Sequence, residues 1–205
     1  MTNESRPQTR GTAKGKQLAG IATTVFLLLA LVGLGPKEES APPEETAQEA
    51  TAPTPEQVLE TMGIELPTPG TPVANYVRAV RTGNLVFLAG HIPRGGDGEV
   101  VRGKLGDNFT VEQGYEAAKL SAIGLLASLR AEIGELDRVQ RIVKVTGFVN
   151  SAPDFVDQSR VVNGTSDFLV EVFGERAKHA RAALGMASLP LGAAVEVEMI
   201  VEIAD

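Results

Sequence analysis

The chain has 205 residues, of which 43% are hydrophobic and 4% aromatic, and it contains no tryptophan. This composition is typical of one globular domain plus a tail, with a core built mainly from aliphatic side chains. The absence of cysteine excludes thiol catalysis, disulfide bonds and cysteine-ligated zinc. A formal net charge of −7 argues against nucleic acid as a partner, because phosphate binding depends on clustered lysine and arginine.

Residues 1–35 have the pattern of a secretion signal or a membrane anchor. Four basic residues within the first 16 precede an uncharged stretch of 18 residues, from Leu18 to Gly35. That length lies at the lower limit for spanning a bilayer core and slightly above a typical signal peptide, so both interpretations stay open, with a buried core helix as a third. Because the basic flank stays in the cytoplasm, we expect the rest of the chain to be extracytoplasmic (periplasmic or at the cell surface), either membrane-anchored or secreted.

The next segment, residues 36–54, is rich in Pro, Ala, Glu and Thr. It has too few apolar residues to form a core, which predicts a disordered acidic linker. The folded domain is therefore predicted to span residues 55–205. We expect it to begin with a short helix from Glu56 to Met62, since Thr54 suits the N-cap and Pro55 the first helical position.

Two strands are predicted at the start of the domain. The apolar stretches from Tyr76 to Arg81 and from Asn84 to Ala89 are joined by Thr82-Gly83, which indicates a tight β-hairpin. A glycine-rich turn then precedes a predicted short strand at Glu99 to Val101.

Two helices are predicted further along the chain. Thr110 and Gln113 have the spacing of a capping box, and the apolar residues that follow recur at helical intervals up to Gly134. A second helix is predicted from Asn163 to Phe173, with Gly174 ending it.

Three further strands complete the domain. They are predicted at residues 138–149, which are rich in Val, Ile and Thr, at 180–186, and at 195–203, where apolar residues alternate with others, mostly glutamate. The order β-β-β-α-β-α-β-β predicts an α/β (α+β) domain in which two helices pack on one face of a mixed sheet.

The two histidines, His91 and His179, lie far apart and lack the spacing of a metal site. His91 follows a glycine at the end of a predicted strand, where the alternatives are a role in a site and a local hydrogen bond. His179 is no more informative. No metal site and no cofactor are predicted.

Arg181 enters a largely apolar stretch, where a guanidinium needs an anionic partner. A bidentate carboxylate ligand is one candidate, and an internal salt bridge to Glu196 or Glu198 is the other. Glu196 and Glu198 share one face of their strand, roughly 7 Å apart. Their mutual repulsion is able to raise one pKa toward acid–base use, although a solvated acidic face is a simpler interpretation.

Two motifs in this order resemble those of the RidA/YjgF (reactive intermediate deaminase) family. The first is NYVRAVRTGNLVFLAGHIP, from Asn75 to Pro93, and the second is HARAALGMASLP, from His179 to Pro190, followed by VEVE from Val195 to Glu198. GKLG, the long helix and KVTGFVN fall between them in the family's order. The resemblance covers about residues 66–205.

The resemblance implies a chorismate-mutase-like fold assembled as a homotrimer, with clefts between subunits. It also implies hydrolysis of small enamine and imine carboxylates to 2-oxo acids and ammonia, without a cofactor. The family's catalytic positions match Glu196, which handles the water, and Tyr76 in the cleft. Its substrate-binding positions match Arg181 as the carboxylate anchor, with Gly90 and Asn163 lining the cleft.

The sequence also departs from the archetype of this family, which indicates a divergent branch. Ala89 and Ala182 replace cleft serines, which removes two hydroxyl groups. The segment between Asn150 and Arg181 is longer. A non-catalytic trimeric carboxylate-binding module is therefore the main alternative to a deaminase, and an endoribonuclease is a third interpretation that the acidic charge disfavours.

Overall fold

The computed structural model describes residues 52–72 and 74–205. The predicted signal or anchor at residues 1–35 lies outside the described residues, as does most of the predicted linker at 36–54. Within the described ranges, none of the helices combines the length and the apolarity that crossing a bilayer requires.

The first element is helix α1, Pro55–Thr61. Its start is encoded locally: Thr54 Oγ1 accepts from the Gln57 backbone N–H, and the Gln57 side chain accepts from the Thr54 N–H, which completes a capping box around Pro55. Leu59 is buried in the core, and Glu56 accepts a 2.6 Å hydrogen bond from the backbone of Leu136. The short helix predicted here is confirmed and tied to the domain.

Within the described residues a mixed sheet of five strands has the order β1-β2-β5-β3-β4. All neighbours are antiparallel except β3 and β4, which are parallel, so β1 and β4 are the two edges. The strands are β1 Ala79–Thr82, β2 Leu85–His91, β3 Val139–Asn150, β4 Ala180–Met186 and β5 Val195–Ile203.

Two helices cover one face of this sheet, as the alternation in β5 predicts. They are α2, Val111–Ile133, and α3, Gln158–Phe173, and the latter is part of the crossover that a parallel pair requires. Val197, Met199 and Val201 point into the core beneath them, whereas Glu196 and Glu198 point to the opposite face, which the helices leave uncovered. We call this second face the open face.

The two long helices approach each other closely at Gly164. A β-carbon at that position would lie 2.8 Å from the carbonyl carbon of Tyr115 in α2, so only glycine permits this spacing.

The mixed sheet with helices on one face agrees with the predicted chorismate-mutase-like fold.

Some predicted boundaries are wrong. Residues 99–101 form only an isolated bridge, Val100 with Arg94, because the backbone that follows pairs with residues 193–194, where the Ala194 N–H donates to the Val101 carbonyl. The hairpin turn is Gly83-Asn84, with Thr82 paired to Leu85, and Tyr76 lies before β1. Helix α3 begins at Gln158, five residues before the predicted Asn163. The prediction missed this start because the first turn carries polar residues without apolar periodicity.

Candidate functional site

Arg181 lies on the edge strand β4, and its side chain turns toward α3. Its Nη1 donates to Asn163 Oδ1 at 2.8 Å and to Ser166 Oγ at 2.9 Å, while Nη2 makes a longer contact of 3.4 Å with the Ser159 carbonyl. Asn163 and Ser166 are one helical turn apart, so both reach the same guanidinium. The structure thus brings two of the predicted site residues, Arg181 and Asn163, together within one subunit.

The register of the sheet sets this direction. Arg181 pairs with Val145, and two residues later Ala183 pairs with Gly147, whose α-carbon lies against Val162 of α3. Arg181 therefore shares the helix-covered face. The alternative of a salt bridge to Glu196 or Glu198 is wrong, because those carboxylates lie on the open face.

A hydrogen-bond chain that the sequence did not indicate continues from Arg181. Ser166 Oγ lies 3.1 Å from His179 Nε2, and His179 Nδ1 lies 2.6 Å from the Ala177 carbonyl oxygen. Burial lowers the pKa of His179, and the charge of Arg181 lowers it further, although the bond to Ala177 opposes both effects. The only sequence signal for this series of hydrogen bonds is the i, i+3 spacing of Asn163 and Ser166.

Glu196 and Gly90 are in direct contact. Both lie next to a β-bulge between β2 and β5, where the pairing shifts between Leu88 and His91. The Glu196 carboxyl group occupies the space that a side chain at position 90 would take, since a β-carbon there would lie 2.9 Å from Glu196 Cδ. The structure therefore brings these two predicted site residues together.

The environment of Glu196 favours its neutral form. Partial burial of the side chain raises the pKa of Glu196, and the nearby charge of Glu198 raises it further. Glu198 itself lines a shallow cavity of about 180 Å³ on the open face, together with Lys144 and Thr146. Glu196 is thus a partly buried carboxyl group with a raised pKa, whereas Glu198 is solvent-exposed.

Within one subunit the predicted site residues fall into separate groups. Tyr76 is half-exposed beside the β1 edge, whereas Arg181 is on the β4 edge, and four strand spacings put these edges roughly 19 Å apart. Glu196 is two strands and three register positions from Arg181, which is roughly 14 Å, and on the opposite face. A cleft that contains all of them requires more than one chain.

His91 is explained by local hydrogen bonding. Its Nδ1 donates to the Ala89 carbonyl at 2.8 Å, and its Nε2 lies 2.7 Å from Ser128 Oγ in the core. Burial lowers the pKa of His91, which is 8% exposed. In the part of the chain that the structure describes, no cluster of three or more His, Asp or Glu side chains is placed to hold a metal ion.

Comparison with known proteins identifies the family of the domain. The family described as "YjgF/chorismate mutase-like, putative endoribonuclease" matches residues 56–203, which include both sequence motifs. The chain belongs to the YjgF family. The predicted family and the predicted chorismate-mutase-like fold are thereby confirmed.

Several YjgF-family relatives match most of the domain. Protein TCP17 of Trypanosoma cruzi is 44% identical over 146 residues, which cover 71% of this chain and 91% of that protein. Atu1372 of Agrobacterium tumefaciens, a protein of unknown function, has a crystal structure with a TM-score of 0.68 and 41% identity, covering 74% of this chain and 94% of that one. A Shewanella oneidensis structure that carries the same endoribonuclease description matches with a TM-score of 0.71 and 30% identity over 74% of this chain and 100% of that one.

Proposed function

We propose that this chain forms a homotrimer whose inter-subunit clefts hydrolyse small enamine and imine carboxylates to 2-oxo acids and ammonia. The observation that carries the proposal is the environment of Arg181. Its exposed guanidinium is held by neutral groups of α3, and no carboxylate within residues 52–72 and 74–205 forms a salt bridge with it. It therefore keeps its full charge for the carboxylate of a ligand.

The remaining donors of Arg181 suit a substrate carboxylate. Asn163 and Ser166 both bind Nη1, whereas Nη2 has only the long contact to Ser159. A guanidinium that is held firmly at Nη1 and only weakly at Nη2 is able to form bidentate hydrogen bonds with a carboxylate. Such binding would orient the neighbouring C=N group and reduce the entropic cost of reaction.

Glu196 is the proposed proton-transfer group. The pKa of Glu196 lies above its ordinary value. Such a carboxylate is a better general base than a fully solvated one, because its pKa is closer to the pH at which the reaction takes place. Gly90 provides the space that the Glu196 carboxyl group occupies, and Tyr76 would form part of the opposite wall of the cleft.

The reaction needs only water. Glu196 would accept a proton from water as the water oxygen bonds to the imine carbon, and would pass that proton to the imine nitrogen, which gives a carbinolamine. Glu196 would then accept the proton of the carbinolamine hydroxyl and deliver it to the nitrogen, so that the C–N bond breaks, ammonia leaves and the C=O bond of the 2-oxo acid forms. One imine and one water thus give one 2-oxo acid and one ammonia, with Glu196 returned to its starting state.

A ring of identical subunits would join the separated groups. Tyr76 stands at one edge of the sheet and Arg181 at the other, so a head-to-tail contact between copies brings the two edges together. Exposed apolar side chains occur near both edges, with Val80 and Phe87 on one side and Leu184 and Met186 on the other. These apolar surfaces support an interface between copies.

We also propose that residues 1–35 export or anchor the chain, which would place the domain outside the cytoplasm. Membrane fractionation with and without carbonate extraction tests this proposal. An intact chain that resists extraction supports an anchor, and a mature mass lacking these residues supports a cleaved signal. Recovery of the intact chain in the cytoplasm would contradict both.

A carboxylate-binding module without turnover is the alternative that a specific observation favours. Ala89 lies beside Gly90, and Ala182 follows Arg181, so hydroxyl groups that would position substrate or water are missing next to both parts of the site. The endoribonuclease description of the family fits this chain less well, because a net charge of −7 disfavours RNA phosphates.

The test is a coupled assay that follows 2-oxo acid and ammonia from iminopropanoate generated in situ. We expect turnover by the wild-type chain and its loss in Arg181→Ala and Glu196→Gln. A folded trimer that binds pyruvate but gives no turnover would support the binding module. Wild-type turnover by Arg181→Ala would contradict the role proposed for that residue.

A further inference from the structure

The hydrogen-bond chain around His179 has only one consistent proton arrangement when the imidazole is neutral. The Ala177 carbonyl oxygen can only accept, so His179 Nδ1 carries the proton and donates at 2.6 Å. Nε2 is then an acceptor, and the Ser166 hydroxyl donates to it at 3.1 Å. The proton of Ser166 is therefore directed toward His179 and away from Arg181.

This arrangement determines how Ser166 meets the guanidinium. Because its hydroxyl proton is engaged by His179, Ser166 presents a lone pair to Arg181 Nη1, which donates to it at 2.9 Å. A serine hydroxyl without such an acceptor rotates and would lose this orientation. The second bond of Nη1, to Asn163, restrains its position but does not depend on a proton arrangement.

We propose that His179 is a positioning residue, which acts through Ser166 to hold the Arg181 guanidinium in the orientation that binds a substrate carboxylate. The proposal rests on the proposed function only in taking Arg181 as the carboxylate anchor. It adds two residues, Ser166 and His179, to the site, and neither touches the substrate directly.

Arg181 is the charged group that acts on the titration of His179. Ser166, the α3 residue that bonds to His179, is uncharged, as is Asn163, which bonds to Arg181. The adjacent Lys178 is paired with Glu175 at 2.6 Å, and β3 places Lys144 opposite Ala180. Two charged residues of α3 have partners elsewhere: Arg160 with Glu112 and Asp157, and Asp167 with Tyr115.

Nuclear magnetic resonance of the imidazole rings tests the proposal without any need for turnover. The chain has two histidines, so the spectrum is simple, and His91 is an internal control with similar bonds to Ala89 and Ser128 but no link to Arg181. We expect His179 to be the Nδ1–H tautomer. Its titration should move to higher pH in Arg181→Gln, because a neighbouring positive charge is removed, while His91 stays unchanged.

Binding of pyruvate provides the second measurement. We expect Ser166→Ala and His179→Leu to weaken pyruvate binding about 5-fold, the effect of one neutral hydrogen bond. His179→Gln should restore most of the affinity, since its amide oxygen can accept from Ser166. A merely structural role would not distinguish Gln from Leu in this way. The thermal midpoint of each variant confirms that the domain remains folded.

The outcomes separate this proposal from the proposed function. An Nε2–H tautomer, or a His179 titration that Arg181→Gln leaves unchanged, would overturn the positioning role even if the deaminase assay succeeds. A His179→Leu variant with wild-type affinity would overturn it as well. Conversely, the expected tautomer and titration shift, together with the rescue by Gln, would establish the role even in a protein without deaminase turnover.

Discussion

The carboxyl group of Glu196 lies over the α-carbon of Gly90, so that a β-carbon at position 90 would be 2.9 Å from Glu196 Cδ. The two residues are on neighbouring strands, and the bulge after Leu88 sets their alignment. Glycine at this position is therefore required by the side chain that lies across it and not by a left-handed backbone.

Gly90→Ala should displace Glu196 without unfolding the domain, because the atoms that must move belong to the end of a flexible side chain. We expect kcat for iminopropanoate to fall about 10- to 100-fold, at or below the roughly 10²- to 10⁴-fold contribution of a positioned acid–base group, because the carboxyl group is displaced and not removed. Gly96→Ala is the matched control, since no atom lies within 4 Å of its added β-carbon. Equal kcat values for both variants would contradict the positioning of Glu196 by Gly90.

Glu198→Gln should shift the pH dependence of the reaction. The negative charge of Glu198 raises the pKa of Glu196, so its removal lowers that pKa. A base with a lower pKa stays deprotonated to lower pH, and the acid limb of the kcat/KM profile should move in the same direction. Measurement of this profile from about pH 4 to 8 decides the point. An acid limb that does not move would exclude Glu196 as the titrating base.

Asn163→Asp should impair carboxylate binding by occupying Arg181. The new carboxylate would lie about 2.8 Å from Nη1 and form an ion pair that competes with the substrate. We expect KM to rise about 10-fold or more, and more than in Asn163→Ala, which removes one neutral hydrogen bond. Steady-state kinetics of both variants measure the difference. A lower KM in the Asp variant would contradict this role of the guanidinium.

Two inactive variants should complement each other if the clefts form between subunits. Tyr76→Ala and Arg181→Ala alter opposite edges of the sheet, so a mixed ring contains a cleft in which both residues are intact. Random mixing restores about one cleft in four. The assay compares unfolded and co-refolded mixtures with the separately refolded variants. Activity that never exceeds the sum of the separate variants would place Tyr76 and Arg181 outside a shared cleft.

Gly164→Ala should destabilise the domain, because its β-carbon meets the backbone of Tyr115 and the two helices would have to separate. We expect a loss of about 2 kcal/mol in the free energy of unfolding. Gly124→Ala, in helix α2, is the control, since its β-carbon makes an ordinary 3.4 Å contact with His91. There we expect a gain of about 0.5 to 1 kcal/mol from helix propensity. Urea denaturation compares the two.

Much of the fold could be predicted from local patterns. The capping boxes at Thr54 and Thr110 specify where α1 and α2 begin, because the groups that satisfy each other are only three residues apart. The alternation in β5 predicted which side chains enter the core, since a strand with one buried face has a period of two. The start of α3 was mispredicted because its first turn, from Gln158, has neither a side-chain cap nor an apolar stripe.

The sequence by itself determined most of the helices and strands, the residues that face the core in β5, and the family motifs that contain Arg181 and Glu196. Only the tertiary structure decided that these two residues lie on opposite faces of the sheet and that Arg181 binds Asn163 and Ser166. Apolar residues occur at both the odd and the even positions of β4, which point to opposite faces of the sheet. The sequence of this strand therefore does not reveal which face is covered. The parallel register with β3 and the crossover through α3 supply that information, because they bring together groups that are distant along the chain.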